Sequence, residues 1–127
     1  IRHPDDQILS QMDQTIREGV QRIADQGGLS FELEQIFYYA PVPFDSSCVE
    51  AVDGAAQSCG YSTRKIVTGA GHDACFIAHA APTSMVFIPC IDGISHNEVE
   101  DIEPEWSTAG ANVMFHAILA KAERSGG

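Results

Sequence analysis

The 127-residue sequence predicts an α/β fold, because segments with helical and with strand periodicity alternate along it. Helical segments repeat apolar residues every three or four positions, and short β-rich segments lie between them. Pro41 and Pro43 exclude both helix and central strand from the stretch between two such regions. They divide the chain into a small first part and a longer second part.

The first part is predicted to contain one helix and one strand. Pro4, Asp5 and Asp6 form a helix start, and Gly27 with Gly28 forms its stop. After the helix, apolar and polar residues alternate over residues 31–37, which predicts a half-buried strand. The helix itself is supported by apolar residues at helical spacing, namely Ile8, Leu9, Met12, Ile16, Val20 and Ile23.

The second part begins with another helix signal. Asp45 can cap a helix that runs to about Ser58, and Gly60 ends it. A strand is predicted over residues 64–68, followed by a turn and a helix over residues 73–80. Strand, helix and strand in this order favour parallel pairing within a larger sheet.

The chain is predicted to end with a strand and a long helix. The strand covers residues 85–88, within an apolar, β-rich run. Residues 103–105 then open an amphipathic helix, in which Trp106 is expected to anchor the core. The helix is expected to fray at residues 125–127.

Composition excludes several classes of partner. The net charge is −11 and the isoelectric point is about 4.6, so nucleic acid and anionic membrane surfaces are not expected partners. No apolar run approaches the roughly 20 residues of a membrane span. The four cysteines lack a CxxC spacing and predict structural thiols in a reducing compartment, so we expect a cytoplasmic protein.

Two histidines lie in polar, glycine-rich turns on either side of the apolar run. The turns are Gly69-Ala70-Gly71-His72-Asp73-Ala74 and Gly93-Ile94-Ser95-His96-Asn97. Turns that follow buried strands are where α/β enzymes hold their chemistry, and imidazole can bind metal or substrate there. Taken alone, each histidine could also satisfy loop carbonyls or belong to an ordinary capping turn.

Five motifs together resemble the C-terminal third of the N-carbamoyl-L-amino-acid hydrolases. Relatives of that family include β-ureidopropionase and allantoate amidohydrolase, within the wider M20 metallopeptidase group. The resemblance covers essentially the whole chain, which also begins without methionine, and we therefore expect a fragment. The motifs, in order, are residues 1–6, 41–45, 69–74, 87–90 and 92–97.

The resemblance implies a fold and a domain division. Residues 1–40 would be the end of a ferredoxin-like α+β lid domain, which also forms a homodimer in this family. Residues 41–43 would be the return hinge, and residues 41–127 the C-terminal part of an α/β metallopeptidase-like catalytic domain. The catalytic glutamate and the other metal ligands would lie outside this chain, so the chain alone is expected to be inactive.

The resemblance also implies roles for particular residues. His96 matches the last protein ligand of a pair of divalent metal ions, which could be zinc, manganese, cobalt or nickel. Arg2 matches the lid arginine that binds the substrate carboxylate through a bidentate pair. Gly71 and His72 match the loop that lines the substrate pocket, where glycine permits close approach and histidine can hydrogen-bond a ureido group.

Further residues are expected next to the site. Asp73, Asn97 and Glu100 are predicted to support it from a second shell, although Asp73 also suits a helix cap and Glu100 a solvated acidic run. Glu98 replaces a proline common in the family, and Ile91 replaces an arginine. These departures leave His96 in place. His79 and His116 match no motif and are expected to be structural.

The implied reaction is hydrolysis of an N-carbamoyl amino acid, or a related ureido acid, to the free amine, carbon dioxide and ammonia. The substrate would be a small molecule with a free carboxylate. Two alternatives remain open from the sequence. One is an aminoacylase or dipeptidase of the same M20 group, and the other is an acidic α/β interaction module without catalysis.

Overall fold

The computed structural model describes residues 1–124 and contains four α-helices and one short 3-10 helix. The α-helices are α1 (Asp6–Gly27), α2 (Ser46–Ser58), α3 (Asp73–Ile77) and α4 (Pro104–Arg124), and the 3-10 helix spans Ile91–Gly93. The chain forms two compact units. The first comprises Ile1–Pro43 with Val67–Ala70, and the second comprises Phe44–Ile66 with the chain from Gly71 onward. The predicted fraying at residues 125–127 lies outside the described residues.

No strand is present in residues 1–124, so the predicted strands at 31–37, 64–68 and 85–88 are wrong. A strand is stabilised by hydrogen bonds to a neighbouring strand, and the described residues supply no such ladder. Apolar alternation predicts which side chains a segment could bury, but the ladder partner is non-local. The ferredoxin-like lid and the parallel sheet are therefore not found in this chain.

The first unit is built around α1, whose predicted limits are confirmed. The Asp5 carboxylate accepts hydrogen bonds from the backbone N–H groups of Gln7 and Ile8, at 2.9 and 3.2 Å. At the other end Gly28 adopts the left-handed φ of 63°, which glycine reaches without steric cost. The Tyr38 hydroxyl donates a hydrogen bond to the Asp6 carboxylate. This bond is the main reason why the pKa of Tyr38 is raised.

The second unit is built around α2 and α4, which pack against each other through small side chains. Alanines from both helices and one valine are buried, so the helix axes can approach closely. Lys121 donates to the Ser47 hydroxyl at 2.8 Å and ties the end of α4 to the start of α2. The buried residues are Ala55, Ala56, Val113 and Ala117, with Ala51, Val52 and Val86 packed against them.

The segment before the 3-10 helix also packs on α4. A methyl group at Gly110 would lie 2.5 Å from Cγ2 of Ile88, so only glycine leaves room for this contact. Val86 packs against the buried residues of the helix pair, and Ile88 packs against α4. They do so without forming a sheet.

The described chain exposes a large apolar surface. Large apolar side chains on several elements remain exposed among the described residues. In the second unit, Phe76 on α3 and Phe115 and Ile118 on α4 are more than half exposed. Apolar faces of this size are typical of surfaces that pack against another polypeptide. Among the described residues no helix is both long and apolar enough to cross a membrane.

Candidate functional site

The loop that carries His96 has an unusual backbone. Asp92, Gly93 and His96 adopt left-handed φ angles of 55°, 69° and 54°. Glycine accepts this conformation freely, whereas aspartate and histidine adopt it infrequently, although more often than most other residues with a Cβ. Hydrogen bonds close the loop, because the Ile91 N–H donates to the Asp101 carbonyl at 2.9 Å and the Ile94 N–H to the Ile91 carbonyl at 3.1 Å.

Glu100 contacts both ends of this loop through its carboxylate. Oε2 accepts from the His96 backbone N–H at 2.8 Å, and Oε1 lies 3.6 Å from the Cys90 Sγ. Partial burial, and then the negative charge of Glu100, raise the pKa of the Cys90 thiol. Sequence analysis placed Glu100 next to the site but gave no sign that it would bind the backbone of His96.

Asn97 shapes the same turn by local hydrogen bonds. Its side-chain Oδ1 accepts from the Val99 N–H at 3.1 Å, and its carbonyl accepts from the Glu100 N–H at 3.0 Å. Asparagine commonly folds a turn in this way. Asn97 thus fixes the direction in which the chain leads from His96 to Glu100.

His72 and His96 lie close together in the second unit. Their ring centroids are 6.3 Å apart, and the Phe87 ring packs edge-on against His72 at 5.5 Å. His72 is the N-cap residue of α3, with extended backbone and no side-chain capping bond, and Asp73 is the first helical residue. Asp73 is therefore not the cap that the sequence allowed. Phe87 was not identified from the sequence, where its apolar run indicated only a buried strand.

The imidazole of His96 is exposed and suits the divalent metals that prefer nitrogen ligands. Two imidazoles that share one tetrahedral zinc place their centroids about 5 Å apart, given Zn–N bonds of roughly 2.0 Å. The observed 6.3 Å is longer, so His72 and His96 are not arranged as ligands of one tetrahedral ion. Within residues 1–124 no group of three or more His, Cys, Asp and Glu side chains could hold a metal ion.

Arg2 and Gly71 belong to different compact units. Arg2 is exposed and lies over the backbone of Gly69, where an added Cβ would be 3.3 Å from the arginine Cδ. An added Cβ at Gly71 would meet no atom within 4 Å, so the open space next to this glycine could admit another group.

The remaining histidines and cysteines lie outside this arrangement. His79 and His116 are exposed, and the His116 ring packs edge-on against the ring of its neighbour Phe115. All four cysteines are free and half-buried. Trp106 is half-buried in the first turn of α4.

Comparison with known proteins finds amidohydrolases among the relatives of this chain. It is 47% identical over 123 residues to an N-carbamoyl-L-amino-acid amidohydrolase of Rhizobium meliloti, covering 97% of this chain and 30% of that protein. It is 32% identical over 99 residues to the allantoate amidohydrolase of Escherichia coli strain K12, covering 78% of this chain and 24% of that protein. The chain thus spans about 30% of the first of these relatives.

A solved structure agrees with these sequence relatives. A hydantoinase/carbamoylase family amidase from Burkholderia multivorans matches with a TM-score of 0.93 and 64% identity, over 95% of this chain and 29% of that one. Residues 4–120 match the model of peptidase family M20/M25/M40. The chain therefore belongs to peptidase family M20/M25/M40.

Proposed function

We propose that this chain is part of a metal-dependent amidohydrolase that cleaves the carbon–nitrogen bond of N-carbamoyl amino acids or related ureido acids. The observation that carries the proposal is the approach of His72 to His96, at 6.3 Å between ring centroids, in two loops far apart in sequence. The names of the relatives at 47% and 32% identity support this substrate class. Residues 1–40 would belong to a lid and dimerisation domain, and residues 41–127 to the catalytic domain.

In this proposal His96 is a ligand of one of two divalent ions. When bound, such ions acidify a water and polarise the scissile carbonyl. His72, too far from His96 to share a tetrahedral ion, donates or accepts a hydrogen bond at the ureido group. Gly71 leaves space for the substrate to approach the backbone next to it. Asp73, Asn97 and Glu100 would support these residues.

Arg2 supplies recognition of the substrate carboxylate in the proposed enzyme. The Arg2 side chain is exposed, and no ion pair of its guanidinium is present among the residues whose side chains the structure describes. A bidentate arginine and carboxylate pair would fix the orientation of the substrate, and it would select acids over neutral ureas.

The metal assignment is tested by replacing His96 with alanine in the gene product that contains this chain. We expect the affinity for zinc to fall by about ten- to a hundredfold or more, and the turnover of N-carbamoyl amino acids to fall with it. His79→Ala is the matched control, because His79 is exposed and outside the site. Metal content by mass spectrometry and turnover that both equal the parent's would refute the ligand role.

The carboxylate assignment is tested by Arg2→Lys and Arg2→Ala in the same protein. Loss of the bidentate pair should raise KM for carboxylate substrates by about ten- to a hundredfold while bound metal stays constant. Arg22→Ala, also in the first unit, is the control. Assays with N-carbamoyl, allantoate and N-acyl substrates side by side distinguish the ureido enzyme from an aminoacylase.

A further inference from the structure

The backbone of His96 needs an external restraint. Its φ of 54° lies in the left-handed region, which a residue with a Cβ adopts infrequently. His96 is also exposed, so no surrounding core holds it in that conformation within the described residues. A left-handed residue persists only where its surroundings determine it strongly.

Glu100 supplies a contact of this kind. Its Oε2 accepts from the N–H of His96 at 2.8 Å, a hydrogen bond to a charged acceptor, which is stronger than a bond between neutral groups. Its Oε1 lies 3.6 Å from the Sγ of Cys90, just before the 3-10 helix. The single carboxylate therefore joins the two sides of the loop.

The position of Glu100 is itself fixed by the backbone. Its N–H donates to the Asn97 carbonyl at 3.0 Å, and the adjacent Asp101 carbonyl accepts from the Ile91 N–H at 2.9 Å. The carboxylate thus extends from a closed turn toward His96. It contacts the amide of His96, and no hydrogen bond from it to the imidazole is present in the described residues.

We infer that Glu100 is a positioning residue, which holds the His96 backbone in its left-handed conformation and so fixes the direction of the imidazole. This inference rests on the proposed function where it concerns metal binding. Its structural part, the restraint of the His96 amide, stands on the observed contacts alone. The oxygen acceptor is required for this role, and the negative charge strengthens the hydrogen bond.

Three substitutions separate these contributions. Glu100→Ala removes the acceptor, while Glu100→Gln keeps an oxygen of the same reach and removes the charge. Glu98→Ala is the matched control, because it removes the same charge from the same exposed loop. No hydrogen bond of the Glu98 carboxylate is found in the part of the chain that the structure describes.

The first measurement is hydrogen exchange at the His96 amide in the full 127-residue chain. Glu100→Ala should speed this exchange by about ten- to a hundredfold, which is the loss expected for a hydrogen bond to a charged group. Glu100→Gln should retain part of the protection, because a neutral amide oxygen accepts a weaker hydrogen bond, and Glu98→Ala should match the parent. Unchanged protection in Glu100→Ala, or an equal loss in Glu100→Gln and Glu100→Ala, would overturn the inference.

The second measurement is Zn²⁺ affinity, by chelator competition, in the gene product that contains this chain. Affinity should fall by about ten- to a hundredfold in Glu100→Ala and by less in Glu100→Gln, which keeps a weaker acceptor. A parent that binds no Zn²⁺ would refute the proposed function, and the amide exchange would still decide the role of Glu100. If the parent binds Zn²⁺ and the Glu100→Ala variant binds it with the same affinity, the positioning role is contradicted.

Discussion

The α2–α4 pair and the two histidine loops belong to the same unit but are stabilised in different ways. The helix pair buries four small side chains and is closed by the Lys121 to Ser47 hydrogen bond. The loops bury little, and backbone hydrogen bonds and the Glu100 carboxylate hold His96 in an infrequent conformation. The framework is thus specified by packing, and the site by a small number of directed contacts.

This difference predicts that changes in the helix pair alter stability, whereas changes in the loops alter binding. Loops held on a rigid support are where proteins generally place their binding residues. The predictions below test the separation between framework and site, beginning with the largest expected effect.

The outer faces of the helices should make the isolated chain self-associate. Phe76, Phe115 and Ile118 are more than half exposed, and apolar faces of this kind tend to pack against another polypeptide. The net charge of −11 opposes association but does not cover these faces. Sedimentation velocity should show concentration-dependent oligomers, which Phe115→Glu with Ile118→Lys should reduce. A monomer at all concentrations would contradict this prediction.

Gly110→Ala should destabilise the framework. The new methyl group would lie 2.5 Å from Cγ2 of Ile88, so the packing on α4 must shift. Overpacking costs about 1–3 kcal/mol and outweighs the roughly 1 kcal/mol that alanine contributes as a better helix former. Chemical denaturation monitored by circular dichroism measures the change.

Gly54→Ala is the matched control for this substitution. Gly54 lies within α2, and an added Cβ there would meet no atom within 4 Å. The free energy of unfolding should therefore rise by about 0.4–1 kcal/mol. If Gly54→Ala and Gly110→Ala change the free energy of unfolding equally, the contact with Ile88 does not restrict the side chain at residue 110.

Asp45 should make the stability of the helix pair depend on pH in acid. A hydrogen bond from Ser47, followed by one from the Cys48 backbone, lowers the pKa of Asp45 below its ordinary 3.8. A carboxylate with a lowered folded-state pKa stabilises the fold above the unfolded pKa, and this contribution disappears as the pH falls through the folded value. The difference in Tm between the parent and Asp45→Ala should therefore be present at pH 6 and shrink below about pH 4. A constant difference would contradict the capping role.

Gly71→Ala should have the smallest effect on stability. The structure leaves open space next to this glycine, and its backbone lies outside the left-handed region. If the proposed substrate site is correct, KM should rise in the intact gene product while Tm stays within about 1 °C. A lowered Tm with unchanged KM would instead assign Gly71 to the framework.

The helices could be predicted because their signals are local. Asp5 and Asp45 cap α1 and α2, and Gly28 ends α1, as expected. The helix predicted over residues 73–80 is shorter in the structure. It ends at Ile77, and the chain then continues as turns. Pro82 disfavours helical backbone at Ala81, so the alanine-rich composition could not extend α3.

The strands and the site geometry depended on non-local information. The apolar run around residues 85–88 does pack on the helices through Val86 and Ile88, but its composition could not show that the described residues supply no neighbouring strand. The motifs identified His72 and His96, and nothing in their spacing predicted the 6.3 Å between their rings. The left-handed φ of His96 and its bond to Glu100 follow from how the loop closes, which the order of residues does not reveal.

Trp106 gives this protein a built-in optical reporter. It is the single tryptophan of the chain, and it lies half-buried in the first turn of α4, within the unit that contains both loop histidines. Its indole emission therefore reports selectively on that unit, since the first unit contributes only tyrosine and phenylalanine signals. Quenching by iodide and shifts in the emission maximum can follow the docking of α4 without any added label.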